Sequence, residues 1–155
     1  MTLTIDSVQA LTQDAWRSVL GEEVECDAPL PGASPSVTSC VHITGEWDGA
    51  VTGGCSRELA RTITEAMFGM DDGEAQAADI EDAIGELVNI IGGGLKSMLP
   101  GTSMLSLPTV TDGVTMTFPG AEMLVSETFI ARGEPLVVSV HQRNVTVPTH
   151  EGAPS

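Results

Sequence analysis

Twenty-two acidic residues stand against six basic ones in this 155-residue chain, giving a formal net charge of −16. A surface of that sign repels phosphate backbones and anionic lipid, so nucleic acid and membrane are set aside as partners. Hydrophobic residues make up 41% of the chain and aromatic ones only 3%, which excludes disorder throughout and requires a core built from Leu, Ile, Val, Met and Ala.

Residues 5–20 read as a first amphipathic helix. Val8, Leu11, Ala15 and Val19 recur at helical spacing, with Trp16 beside them. Gly21 is placed to stop it. Residues 27–36 (DAPLPGASPS) are rich in Pro, Gly and Ser and read as a surface loop. Residues 37–47 alternate as a strand, with Val37, Ser39, Val41, Ile43 and Trp47 on one face. Asp48-Gly49 is predicted as a type I′ hairpin turn. Residues 50–55 form the return strand, weakened by Gly53 and Gly54.

Ser56 is the expected N-cap of a second helix. Its apolar stripe is Leu59, Ala60, Ile63, Ala66, Met67 and Met70, and Gly69 falls near its end. A third, longer helix is expected over 71–100, ended by Pro100-Gly101. Four strands follow, over 102–110, 114–118, 121–131 and 135–141. The turns between them are Thr111-Asp112-Gly113, Pro119-Gly120 and Arg132-Gly133-Glu134. Links this short predict antiparallel neighbours. The pattern continues as far as Val147, so residues 1–147 read as one domain and 148–155 as a flexible tail. The expected fold is α+β, a single largely antiparallel sheet with three helices packed on it.

No run of 18 apolar residues is present, and residues 1–16 lack a basic segment followed by an apolar one. Neither a membrane span nor a secretory signal is therefore expected. The cysteines Cys26, Cys40 and Cys55 are odd in number and form no Cys-x-x-Cys pair, which fits a reduced, cytoplasmic setting. Cys40, His42 and Cys55 match no metal-ligand spacing. His42 and His141 lie in strand patterns and His150 in the tail, and none is assigned a role.

The third helix has two unlike sides. At about 100° per residue, Ile80, Ile84, Leu87, Ile91, Leu95 and Met98 fall within roughly 40° of one direction. Asp82, Glu86, Asn89, Gly93 and Lys96 fall within roughly 40° of the opposite one. Glu86 and Asn89 are three apart, so their side chains stand side by side. An ionised Glu only accepts hydrogen bonds, whereas Asn both donates and accepts but is not a base. Such a pair can place a water but not activate it. That suits phosphoryl hydrolysis, whose loose transition state needs alignment above all. The chain shows no phosphate-cradling loop and no metal cluster, so a partner would have to bring both phosphate and metal.

Gly92, Gly93 and Gly94 would together cost on the order of 2–3 kcal/mol inside a helix. Either close packing within the chain or close approach by a partner could be the reason, with Gly85 a further bare position beside Glu86.

These residues carry a resemblance. Asp82-Ala-Ile-Gly-Glu86-Leu-Val-Asn89 resembles the motif of the CheC/CheX/FliY chemotaxis phosphatases: Asp or Ser, three residues, Glu, two residues, Asn. The stretches ELVNIIGGGLKSML, TGEWDGAVTGGCSRELARTITEAMFG (44–69) and LSLPTV (105–110) are similar to that family too. A single Glu-x-x-Asn site favours the CheX-like branch. The resemblance implies a phosphatase of the aspartyl phosphate on a CheY-like response-regulator receiver domain, in chemotaxis or another two-component pathway. It implies Mg²⁺ supplied by the receiver, with no cofactor held by this chain. It further implies that Asn89 orients the attacking water, that Glu86 contacts the receiver's active-site lysine, and that Asp82 lies at the rim of the contact. Gly85, Gly92, Gly93 and Lys96 are expected beside that contact, and a homodimer is expected. The alternative is a non-catalytic module that binds a receiver or a flagellar-motor component, since the related fold of FliM lacks the catalytic pair.

Overall fold

The computed structural model describes residues 3–27, 35–113 and 116–143. Three helices pack on one face of a seven-stranded sheet in which every pairing is antiparallel. The elements run α1 (Ile5–Leu20), β1 (Glu25–Asp27), β2 (Val37–Gly45), β3 (Gly49–Cys55), α2 (Arg57–Phe68), α3 (Ala77–Met98), β4 (Ser103–Leu105), β5 (Thr109–Asp112), β6 (Ala121–Ala131) and β7 (Glu134–Arg143). The sheet order is β1-β6-β7-β3-β2-β4, with β5 also pairing β2. The expected fold class is therefore the observed one.

The core lies between sheet and helices. Val41, Val51, Val140 and Val125 form one row across β2, β3, β7 and β6, and all four are buried. Next to it the row Ser39–Gly53–Val138 leaves a hollow at Gly53. Val88 of α3 fills it, with Cγ2 only 2.7 Å from where a Gly53 Cβ would stand. The glycine that weakens β3 as a strand thus lets the long helix cross close above it. In α1, Trp16 is not a flank: it is fully buried together with Thr12, while Leu11 and Val19 are only partly covered.

Local chemistry explains the boundaries. α1 stops at Gly21 and α2 at Gly69, both in the left-handed conformation at φ 68° and 66°. The Leu59 N–H donates to Ser56 Oγ at 3.0 Å, so Ser56 caps α2 as expected. Thr64 and Glu65 are buried in α2, whereas Ala66, placed on its apolar stripe, is exposed.

α3 begins at Ala77 rather than at 71, because the acidic stretch before it is already engaged. The Glu65 carboxylate accepts from the N–H groups of Gly73 and Ala75 and also holds Arg61. The Gln76–Asp79 capping box then starts the helix.

Two strand expectations are corrected. The 102–110 strand is split, since Pro108 has no N–H to give a ladder. Ser106, Leu107 and Pro108 face only Val41 and His42 of β2, and β5 resumes one residue out of step with β4. β4 and β5 therefore pair β2 and not each other. Residues 116–118 are not strand, and 114–115 lie outside the described residues, as do 144–147 and the tail.

The type I′ turn is not at Asp48-Gly49. Gly49 already belongs to β3, and Asp48 Oδ1 accepts from the Gly45 N–H at 3.0 Å, with Gly45 at φ 137°. The two-residue turn with positive φ at both positions is Arg132-Gly133, at 51° and 83°, between the paired Ala131 and Glu134. β1 has no counterpart among the expected strands.

Candidate active site

α3 presents Asp82 and Glu86 exposed to solvent and Asn89 half-buried beside them. Ile84, Leu87, Val88, Ile91 and Leu95 are buried on its other side. The two-sided reading of this helix therefore holds in three dimensions. Among the described residues, no hydrogen bond or ion pair from another side chain reaches Asp82, Glu86, Asn89 or Lys96.

A hollow of about 550 Å³ opens in front of the acids, lined by Phe68, Glu81, Asp82, Glu86, Pro108 and Val110. It adjoins a second groove of about 630 Å³ between α2, the start of α3 and β5, with Glu81 and Val110 common to both. Arg57 pairs with Asp112 and Arg61 with Glu58 on the rim of that second groove. Phe68 could not have been singled out from the sequence, because it lies off the apolar stripe of α2.

The glycines of α3 differ in their neighbours. All of Gly92–Gly94 lies inside an unbroken helix. A Cβ at Gly92 would stand 2.6 Å from Val41 Cγ2 and 3.3 Å from Leu105 Cδ1. A Cβ at Gly85 would stand 3.3 Å from Pro108 Cγ, and one at Gly94 2.6 Å from Leu11 Cδ2. Gly85 and Gly92 are buried, and the close approach they permit within the chain is by β2 and by the 105–108 segment. Only Gly93 is open, with Leu105 Cδ2 at 4.0 Å as its nearest neighbour. Lys96 sits in the last turn of α3, where a cation also complements the helix dipole.

Among the described residues, no three His, Cys, Asp or Glu side chains are placed to hold a metal ion. Cys40 Sγ lies 3.8 Å from His42 Nε2. Burial pushes the Cys40 thiol up to about 11, and burial together with Glu134 pushes Cys55 to about 12. Neither is a thiolate at neutral pH. His141 stacks on Phe118 with ring centroids 4.6 Å apart, and burial lowers its pKa.

A family model described as "Chemotaxis phosphatase CheX" matches residues 37–128, which takes in β2 through most of β6 and the whole of α3. The chain belongs to the CheX family. No curated protein matches it. Among solved structures it is similar to the CheX–CheY–BeF₃–Mg²⁺ complex from Borrelia burgdorferi, at 18% identity and TM-score 0.74, covering 90% of this chain and 97% of that one. It is similar to CheX from Desulfovibrio desulfuricans at 21% identity and TM-score 0.72, covering 89% and 97%. It is also similar to FliY from Thermotoga maritima at 16% identity and TM-score 0.59, covering 95% and 94%. At these identities the structures speak for the CheX fold alone. No helix among the described residues is long and apolar enough to cross a membrane.

Proposed function

We propose that this CheX-family chain hydrolyses the aspartyl phosphate of a CheY-like receiver domain. The observation that carries the reading is a Glu and an Asn one turn apart on α3, the Glu lining a hollow and neither having a side-chain partner among the described residues. The family description supports it, and so does the Borrelia complex, in which a CheX is bound to CheY with BeF₃ and Mg²⁺.

In this reading the Asn89 carboxamide holds a water in line with the phosphorus. The water oxygen bonds to phosphorus as the bond from phosphorus to the aspartyl oxygen breaks. Inorganic phosphate leaves, its extra proton passing to solvent, and the receiver carboxylate is regenerated. Asn cannot take that proton, so its contribution is alignment. Glu86 contacts the receiver's lysine and anchors α3 in the phosphorylation site, with Asp82 at the rim and Gly93 and Lys96 further along the same face. The receiver brings its own Mg²⁺. The same reading places the protein in the cytoplasm, in chemotaxis or a kindred two-component pathway, as a homodimer whose mass light scattering can check.

The test is phosphate release from a panel of phosphorylated receivers. Catalytic amounts of wild type should shorten the lifetime of at least one of them, and Glu86→Ala/Asn89→Ala should not. A non-catalytic binding module would instead alter the lifetime only at stoichiometric amounts.

A further inference from the structure

Leu107 is 86% exposed and Phe68 45% exposed. Scattered apolar side chains on a surface need no explanation, but these two differ from scattered ones in placement. Phe68 is the last residue of α2 and lines the hollow together with Glu81, Asp82, Glu86 and Pro108. Leu107 is next to Pro108, in the three-residue link that bulges out between β4 and β5.

The link is held firmly. The Ser106 N–H donates to the His42 carbonyl at 2.9 Å, the His42 N–H donates to Ser106 Oγ at 2.9 Å, and the Ser106 hydroxyl donates to the Leu107 carbonyl at 3.0 Å. Pro108 rests on Gly85, and Leu105 rests against Gly92. Bulges at sheet edges re-aim side chains in this way. A side chain presented on backbone that is already ordered loses little entropy when it is covered.

We propose that Leu107 and Phe68 are the apolar anchors with which the chain selects its receiver, set beside the acidic row that reaches the phosphorylation site. The inference rests on the receiver-phosphatase reading and assigns it two contact residues outside the Glu-x-x-Asn motif. Charge decides the occupant. A second copy meeting this face would set Glu81, Asp82 and Glu86 against acids of the same kind, on a chain of net charge −16. The occupant must instead bring cations opposite the acids and an apolar surface opposite Leu107 and Phe68. A receiver with metal and lysine at its phosphorylation site, and an apolar surface beside them, meets both demands.

The experiment uses a receiver that wild type dephosphorylates, locked with beryllofluoride and Mg²⁺ and titrated with wild type, Leu107→Ser, Phe68→Ser and Asn89→Ala. Burying one Leu or Phe side chain is worth about tenfold to a hundredfold in an equilibrium constant. Each Ser variant should therefore bind about tenfold more weakly or worse, with kcat at saturating receiver and the thermal midpoint unchanged. Asn89→Ala should bind like wild type. Wild-type affinity in both Ser variants overturns this inference alone, whatever they do to self-association. Failure of wild type to bind or dephosphorylate any receiver overturns it together with the function it rests on.

Discussion

Two groups of acids lie side by side in this molecule, and they are in opposite states. Around α2, Glu58, Glu65 and Asp72 all converge on Arg61 at 2.5 to 3.1 Å, and Glu65 also takes two backbone N–H groups of the turn before α3. On α3, Asp82 and Glu86 have no cation and no donor side chain from the described residues. Both groups count alike toward a net charge of −16. What separates them is satisfaction. The first group is a structural joint between two helices, and the second is left open to solvent. Acidity therefore marks neither a site nor a solvated face until its partners are known.

The sharpest way to break that contrast is to remove the open group. Asn89→Ala should lower phosphate release from a phosphorylated receiver by about 100-fold or more, the scale on which misplacing a reacting water acts. The melting midpoint should stay where it is, because Asn89 makes no side-chain bond to the described residues. Glu86→Ala should act mainly on KM, since its assigned task is to anchor the helix. A stable Asn89→Ala protein with wild-type turnover would refute the assigned role.

The converse change is to remove the satisfied group. The Glu65 side chain is only 7% exposed and is held by Arg61 at 2.9 Å. Glu65→Ala strands the N–H groups of Gly73 and Ala75 and strips Arg61 of its most buried partner. The expected loss is about 2–3 kcal/mol in denaturant unfolding, on the scale of a broken, partly buried charged hydrogen bond. At a temperature where the variant is folded, kcat should remain close to wild type. A large fall in kcat without a fall in stability would mean that the joint takes part in function.

Much of this contrast can be read in the sequence, and the rest is hidden for identifiable reasons. The periodicity of α3 separates the row Ile84, Leu87, Ile91 and Leu95 from Asp82 and Glu86, and the structure buries the first set and exposes the second. The cap at Ser56, the span of β6 and the limits of α1 follow from local chemistry alone, so they too are legible. Long-range pairing is not. Nothing local announces that β4 and β5 share one edge of β2, or that three link residues there face two. Nor can composition show that Glu65, eight residues away, engages Gly73 and delays the start of α3. The role of a glycine is hidden in the same way, because it depends on which atoms lie opposite the missing Cβ.

The glycine row sharpens the comparison at the smallest scale, since it too contains a satisfied and an open member. Ala in place of Gly gains about 1 kcal/mol of helix propensity. At Gly92 that gain meets Val41 Cγ2 at 2.6 Å, on a buried and β-branched residue that has little room to turn. Overpacking of this kind costs about 1–3 kcal/mol, so Gly92→Ala should be destabilising by about 1 kcal/mol net. At Gly93 the nearest atom is 4.0 Å away, so Gly93→Ala should be stabilising by about 0.5–1 kcal/mol. Thermal melts of the two variants should therefore move in opposite directions. Receiver titration adds a second axis. If Gly93 faces the incoming receiver, its Ala variant should bind more weakly even though it is the more stable protein, while Gly92→Ala at a folded temperature should bind as wild type does. Stabilisation with unchanged affinity at Gly93 would confine the docking surface to the Asp82–Asn89 part of α3.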